Sequence, residues 1–277
     1  MARRLSRREV FFWAFTSLAA QSLLLTAFAS SFLGVTDAAE VASTAPAAQS
    51  AFQVLAWYAI FQLVFESRSQ PRAWVSDYAV ALLACCAVLV SSNALVSGAA
   101  LMLVGLYLWK AADGDEKLKS AAVVALALAA NMYWAPKIFE FVSLPLLRVD
   151  AALVGALLSL FVPGVTWSDT IITSSNHSIG IYGACSSFHN ISLAILCWIT
   201  ITKLIRSKWM ASDRICALAV IAAVVIFNTA RLALMARGPV EFAFWHNGSG
   251  ADIVVWMTTL TVVALSLWGA TRKGAAS

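Results

Sequence analysis

Three residues of types that carry out acyl transfer fall in the second half of the 277-residue sequence: Cys185, Arg231 and His246. A thiol acts as a nucleophile in its thiolate form, which a neighbouring imidazole base or guanidinium favours. The oxyanion that develops during acyl transfer needs a hydrogen-bond donor or a positive charge. Cysteine, histidine and arginine supply these functions, so the sequence predicts a nucleophilic site if the three residues meet.

Two nearby residues are secondary candidates for the same site. His189 follows Cys185 by four positions and shares a helix face with it if both lie on one helix, which makes it a second possible base. Asn228 precedes Arg231 by one helical turn, so an amide and a cation form a polar stripe within an apolar segment. An arginine facing lipid costs ~2.5–3.5 kcal/mol on insertion scales, and this cost favours a functional role over a structural one. His177 lies in a Ser-Ser-Asn-His-Ser turn, where we expect it to contact water.

The composition indicates what positions these residues. Hydrophobic residues make up 61% of the chain and charged residues only 12%, which excludes soluble enzymes and nucleic-acid-binding proteins. A membrane-spanning helix needs ~20 mostly apolar residues. The chain is therefore predicted to be an all-α polytopic protein of the lipid bilayer, with about eight transmembrane helices. The predicted spans are 10–33, 51–66, 77–92, 94–110, 118–135, 186–205, 214–236 and 252–270.

One further apolar stretch, 138–162, is interrupted by Pro145, Arg148 and Asp150. It is predicted to be a broken helix that lies at the outer surface or re-enters the membrane. This divides the chain into an N-terminal region of five transmembrane helices, 1–135, and a C-terminal catalytic region with three more, 136–277.

The basic residues predict the orientation. With eight spans both termini lie on one side, and fifteen of the nineteen Lys and Arg residues fall on that side. The positive-inside rule makes that side cytoplasmic, so the predicted site faces the periplasm or the outside. The fifteen residues are Arg3, Arg4, Arg7, Arg8, Arg68, Arg72, Lys110, Lys117, Lys119, Lys203, Arg206, Lys208, Arg214, Arg272 and Lys273.

A polar stretch, 163–184, precedes Cys185. Within it, the β-branched runs 170–173 and 179–182 flank the Ser-Ser-Asn-His-Ser turn, which predicts a short β-hairpin on the outer face. An exposed strand edge could pair with an extended substrate peptide. Alternatively, the hairpin only caps the helix bundle.

Residues 140–270 resemble the exosortase/archaeosortase family of membrane-embedded cysteine transpeptidases. The resemblance lies in the interrupted helix, the strand pair before Ala184-Cys185-Ser186, the sequence Asn228-Thr229-Ala230-Arg231, and His246 followed by Gly250. It implies that Cys185 is the nucleophile, that Arg231 assists it and that His246 completes the site. The family commonly has a glycine after the Cys-Ser pair, where this chain has Ser187. This departure bears on backbone freedom or substrate choice.

The resemblance also implies a function. The protein would cleave C-terminal, PEP-CTERM-like sorting signals of secreted proteins through an acyl-thioester at the outer face of the inner (plasma) membrane. Each substrate tail would carry a Pro-containing motif, a transmembrane helix and a basic end, and the acceptor would be an envelope glycan or lipid. No cofactor, metal or nucleic acid is expected.

Two alternatives belong to other classes. The first is a zinc-dependent membrane hydrolase with Cys185, His177, His189 and His246 as ligands, although neither HExxH nor CxxC spacing is present. The second is a non-catalytic envelope component, such as a polysaccharide-export subunit or a transporter. The near absence of acidic residues from the spans argues against a transporter.

Overall fold

The computed structural model describes residues 5–32, 45–67, 72–90, 94–112, 114–174 and 177–272. Four of the basic residues used to predict orientation lie outside these ranges: Arg3, Arg4, Arg68 and Lys273. The chain is mostly helical, and a small sheet lies between its sixth and seventh helices in sequence. The helices are α1 (Arg7–Phe32), α2 (Ala45–Glu66), α3 (Val75–Val90), α4 (Ala94–Ala111), α5 (Glu116–Ala129), α6 (Ala135–Ser159), α7 (Ser187–Ile205), α8 (Ser212–Met235), α9 (Pro239–His246) and α10 (Ser249–Thr271).

Several of these helices are long and apolar enough to cross a bilayer. In the described ranges four stretches meet that criterion: Glu116–Ser159, Ser187–Ile205, Ser212–Met235 and Ser249–Thr271. Three shorter apolar helices also occur, at Ala51–Glu66, Val75–Leu89 and Leu95–Ala111. A helical membrane protein is therefore confirmed, while the number of eight crossings and their orientation stay predictions.

The predicted break in the 138–162 stretch is wrong, because α6 runs unbroken through Pro145. A π-helical turn, Ala130–Trp134, joins α5 to α6, so the helical residues continue from Glu116 to Ser159. A proline removes one helical hydrogen bond, a loss that tertiary packing can offset. The polar residues of α6 also have partners: Arg148 donates to Asp169 at 2.8 Å, and Asp150 accepts hydrogen bonds described below. The prediction that this stretch lies at the outer surface or re-enters the membrane stays a prediction.

The predicted hairpin is present and is extended by a third strand. Strands β1 (Thr166–Ser168), β2 (Ile171–Thr173) and β3 (Ser178–Gly180) form an antiparallel sheet in that order. Ile172 pairs with Ile179, and both side chains are buried in a core formed with α6 and α8. The ring of Trp167 on β1 lies against Gly155 of α6, where a Cβ atom would come within 2.5 Å of the indole. The sheet is therefore packed on α6.

The chain folds into two compact units. The first comprises α1, most of α2, α3, α4, α5, the π-helical turn and residues 199–210. The second comprises α6, the sheet, most of α7, and α8, α9 and α10. All of the predicted site residues belong to the second unit. The predicted division into 1–135 and 136–277 stays a prediction.

Candidate active site

Cys185 ends a short 3-10 turn, Gly183–Cys185, that leads into α7. Its amide donates to the carbonyl of Tyr182 at 2.9 Å. Ser186 then adopts an extended conformation (φ −69°, ψ 140°), and α7 begins at Ser187. Cys185 and His189 therefore do not lie on one helix, and the helical relationship assumed for His189 as a second base is wrong. His189 lies on α7 and is not among the residues that line the pocket at Cys185.

A buried carboxylate fixes the backbone that follows Cys185. Oδ2 of Asp150, which is only 6% exposed, accepts from the amide of Ser187 at 3.0 Å and from the hydroxyl of Ser186 at 3.1 Å. The amides at a helix start lack intrahelical partners and favour negative charge nearby, so the carboxylate satisfies the beginning of α7. Asp150 is thus the residue of α6 that positions the Cys185 turn.

Asn228 holds the same turn from α8. Its Nδ2 donates to the carbonyl oxygen of Cys185 at 2.9 Å and to the hydroxyl of Ser187 at 3.0 Å. The Asn228 side chain is buried, so both hydrogen bonds are made out of water. The predicted secondary candidate therefore contacts the residue that carries the thiol.

Arg231, one turn further along α8, contacts the end of α9. Its Nε donates to the carbonyl of Trp245 at 2.9 Å, and Nη2 donates to the carbonyl of His246 at 3.1 Å. The last carbonyls of a helix lack intrahelical partners and favour a nearby cation, which Arg231 supplies. His246 lies between the predicted spans 214–236 and 252–270, and in the structure it ends helix α9.

Cys185 and His246 line one pocket of about 220 Å³. The wall also includes His177, strand β3 and Phe242. The Phe242 ring stacks on the His246 ring with centroids 4.8 Å apart and meets the His177 ring edge-on at 5.7 Å. His177 therefore belongs to the pocket wall, and its expected contact with water stays a prediction.

Both imidazoles in this pocket carry a buried nitrogen without a protein partner. Nδ1 of His246 and Nε2 of His177 make no hydrogen bond to any residue that the structure describes. An unsatisfied buried nitrogen costs free energy, so each is suited to a hydrogen bond with a bound molecule.

The electrostatics of the thiol combine two opposing effects. Burial raises the pKa of Cys185 and is the largest effect, while the charge of Arg231 and a hydrogen bond from the backbone of Tyr182 lower it. At neutral pH the resting group is therefore the thiol, which needs a base during reaction.

The described residues contain no group of three or more His, Cys, Asp or Glu side chains placed to hold a metal ion. The zinc hydrolase alternative thus has no ligand set in these ranges. The five cysteines are all free thiols.

One residue of this site, Asp150, was not predicted from the sequence, and a second, His177, was considered only as a ligand of the zinc alternative. Asp150 stood out there only as an interruption of an apolar run, although the cost of a carboxylate in such a run is itself a signal of a functional contact. The position of His177 beside Cys185 and His246 depends on the packing of the hairpin against α8 and α9, which the sequence does not show.

Residues 43–264 match the family model described as transmembrane exosortase (Exosortase_EpsH). No curated protein and no solved structure is detectably similar to the chain. The family match covers most of the sequence and includes every residue of the pocket described above. The chain belongs to the transmembrane exosortase family.

Proposed function

We propose that this chain is a membrane-embedded cysteine transpeptidase that cleaves the C-terminal sorting tails of secreted proteins. Membership of the exosortase family supports a membrane transpeptidase and protein-sorting role in general. The observation that carries the specific proposal is the shared pocket of Cys185 and His246, together with the charge of Arg231 acting on the thiol.

The first half-reaction forms a thioester. His246 accepts the proton of the Cys185 thiol as the sulfur attacks the carbonyl carbon at the cleavage point. When the tetrahedral intermediate collapses, the C–N bond breaks and His246 passes the same proton to the leaving amine. A base is required here because the pKa of Cys185 is raised by burial.

The second half-reaction transfers the acyl group. A hydroxyl or amine of an envelope glycan or lipid attacks the thioester carbonyl, and the C–S bond breaks. The proton of the acceptor passes through His246 to the Cys185 sulfur, which restores the starting enzyme. A pocket closed to bulk water during this step would favour transfer over hydrolysis.

Arg231 has two roles in this mechanism. Its hydrogen bonds to the carbonyls of Trp245 and His246 fix the backbone that carries the imidazole. A guanidinium has five N–H donors, and the described contacts use one on Nε and one on Nη2. Arg231 does not itself line the pocket, but its charge acts on the Cys185 thiol, so we assign its remaining donors to the oxyanion of the tetrahedral intermediate.

The edge of β3 is suited to hold the substrate in an extended conformation. The carbonyl of His177 accepts from the amide of Ser174, and the amide of Ile181 donates to the carbonyl of Thr170, each at 2.8 Å. Hydrogen-bonded and non-bonded pairs alternate along an antiparallel ladder. Ile179 therefore directs its backbone groups toward β2.

It follows that Ser178 and Gly180 direct their amides and carbonyls away from β2. Both residues line the pocket at Cys185, and no further strand pairs with this edge within the described residues. An extended peptide added along β3 would carry its scissile carbonyl past the thiol.

The family resemblance supports the identity of the substrate. We propose tails with a Pro-containing motif, a transmembrane helix and a basic end, processed at the outer face of the inner membrane by an enzyme with both termini in the cytoplasm. Ser187, in place of the family glycine, donates its amide to Asp150 and lies against Asn228. These contacts make the turn rigid. We therefore expect the replacement of the family glycine by Ser187 to affect substrate choice more than catalysis.

The deciding experiment follows a tailed substrate by gel shift in cells that carry Cys185→Ala, with Cys197→Ala as the matched control. Cys197 is a buried thiol on α7 outside the pocket, so its variant should process the substrate normally. The Cys185 variant should leave the substrate uncut. Trapping the acyl group on Cys185 and releasing it with hydroxylamine would identify the thioester. Normal processing by the Cys185 variant would overturn the mechanism.

A further inference from the structure

Tyr182 is a large exposed residue in the wall of the Cys185 pocket. It is 72% exposed and lines the pocket together with Gly180 and Cys185. The proposed mechanism gives this side chain no role. An aromatic ring that lies largely in water beside a nucleophile offers apolar surface to a bound molecule.

The backbone around Tyr182 determines which way its side chain leaves the sheet. Tyr182 is extended (φ −111°, ψ 169°) and continues the direction of β3, and its carbonyl accepts from the amide of Cys185 at 2.9 Å. Successive side chains of an extended chain point to opposite faces. Ile179 and Ile181 are buried in the core with α6 and α8. Gly180 and Tyr182 therefore belong to the opposite face of the sheet.

On that face the ring of Tyr182 folds back over Gly180. A Cβ atom at position 180 would lie 3.0 Å from the phenol oxygen and 3.1 Å from Cζ, closer than ordinary van der Waals contact. The phenol thus occupies the space that a side chain at position 180 would take. A glycine inside a strand often marks a place where another group approaches closely, and here that group is the tyrosine ring.

This arrangement places the ring beside the open edge of β3. The backbone groups of Gly180 point away from β2, toward the position proposed for the substrate peptide. Residues directly opposite each other on neighbouring strands have side chains on the same face, with Cβ atoms ~4.5–5.5 Å apart. A substrate residue opposite Gly180 finds no side chain on that glycine and meets the Tyr182 ring instead.

We propose that Tyr182 determines specificity at the substrate residue that pairs with Gly180, and that it favours a β-branched or aromatic side chain there. Aromatic–aromatic and aromatic–β-branched pairs stabilise neighbouring strands, whereas serine offers the ring little apolar area. Ile171, the β2 partner of Gly180, is about half exposed and adds apolar surface on the same face. The inference rests on the proposed transpeptidase function and on pairing of the substrate with β3.

The test uses tailed substrates in which each residue near the cleavage point is changed in turn to isoleucine and to serine. Membranes that contain the full chain cleave them in the gel-shift assay, which gives kcat/KM for each. At one position the parent enzyme should prefer isoleucine to serine by up to about fivefold, the range of a cross-strand pair. Tyr182→Ser should abolish this preference, and Tyr182→Phe should keep it. Because the readout is a ratio for one enzyme, a smaller amount of folded protein does not change it.

Tyr58→Ser is the matched control. Tyr58 is an exposed tyrosine of α2 that does not line the pocket, so its variant should keep the parental preference. Gly180→Ala should weaken the preference, because the added methyl group displaces the ring while the backbone amide remains. Tyr182→Arg should prefer glutamate to isoleucine at the same substrate position, since opposite charges pair across strands. Misfolding cannot produce this gain.

Two results would overturn the inference. A parent enzyme without a preference for isoleucine at any tested position would mean that no substrate side chain meets the ring. An unchanged preference in Tyr182→Ser would mean that it arises elsewhere in the pocket. Both results leave the proposed function standing if cleavage depends on Cys185. Normal cleavage by Cys185→Ala would instead remove the proposed function, and this inference with it.

Discussion

The side-chain amide of Asn228 donates a 2.9 Å hydrogen bond to the backbone carbonyl oxygen of Cys185. One helical turn later, Arg231 donates to the carbonyl of His246. Helix α8 therefore holds the backbones of the proposed nucleophile and of its base through two adjacent turns. Both contacts are to main-chain atoms. Helix α8 therefore fixes the backbone positions of Cys185 and His246, and local packing determines the orientation of their side chains.

Replacing Asn228 tests the first of these contacts. Asn228→Ala should lower the free energy of unfolding by about 1–3 kcal/mol, because the buried carbonyl of Cys185 loses its donor. Substrate cleavage should slow as well. Asn228→Asp has nearly the same shape but no N–H to donate when ionised, so it should show a comparable loss. Chemical unfolding in detergent and the gel-shift assay measure the two effects.

The control for this prediction is Thr229→Val. The Thr229 hydroxyl is buried and makes no hydrogen bond to any described residue, so its removal should not reduce stability. If Asn228→Asp cleaved substrate at the parental rate, the donor to Cys185 would have no role in positioning the thiol.

Replacing Asp150 tests the anchor of the α7 start. Asp150→Ala should reduce kcat by about tenfold or more, because the amide of Ser187 and the hydroxyl of Ser186 lose their acceptor and the Cys185 turn becomes mobile. Asp150→Asn retains one acceptor oxygen and should lose less. Faster hydrogen exchange at the Ser187 amide would report the mobility directly.

Asp169→Asn serves as the comparison for Asp150. Asp169 pairs with Arg148 at an exposed position, where an ion pair contributes ~0–1 kcal/mol. The Asp169→Asn variant should keep the parental activity and the parental rate of hydrogen exchange at the Ser187 amide. An equal loss in both variants would contradict a specific role for Asp150.

The pH dependence of thiol alkylation tests the electrostatics of Cys185. Burial raises the pKa of this thiol and the charge of Arg231 lowers it. The alkylation rate should therefore rise with pH through an inflection above that of a free thiol. Removing the positive charge destabilises the thiolate, so Arg231→Gln should move the inflection to still higher pH. A chain in which Cys185 is the sole remaining cysteine gives the cleanest measurement.

Arg231→Lys keeps the charge and should show a smaller upward shift than Arg231→Gln. The lysine has no planar fork for the two carbonyls, so its activity should still fall. An inflection that moved to lower pH in Arg231→Gln would contradict the assigned sign of the interaction.

The open edge of β3 is tested at Gly180. Gly180→Pro removes the amide that points away from β2, while Gly180→Ala keeps it. The added Cβ would meet the far end of the exposed Tyr182 side chain at 3.0 Å, which can move aside. The proline variant should raise KM severalfold more than the alanine variant, and thermal unfolding should check that both fold. Equal KM values would count against backbone pairing with the substrate.

The helices were predictable because length and apolar content are local properties of the sequence. Helix α7, Ser187–Ile205, begins one residue from the predicted start, and α8, Ser212–Met235, lies within two residues of the prediction. Arg231 and Asn228 stood out for the same reason, since polar groups in an apolar run carry a cost that requires a partner.

The remaining features depend on packing between distant segments. Nothing near Pro145 in sequence indicated that α6 would continue, because its buried face and the partners of Asp150 come from elsewhere in the fold. Helix α9 is only eight residues long and too short to recognise by periodicity. His177 reaches the pocket only because the sheet packs against α8.

The contacts of Arg231 are to carbonyl oxygens of residues 245 and 246, which every amino acid possesses. The end of α9 therefore stays anchored whatever side chain stands at position 246. A substitution of His246 leaves this scaffold in place, so in the proposed mechanism the resulting defect reports on the imidazole itself. A substitution of Arg231 releases the scaffold and changes the charge at the thiol together, and its defect has no single chemical meaning.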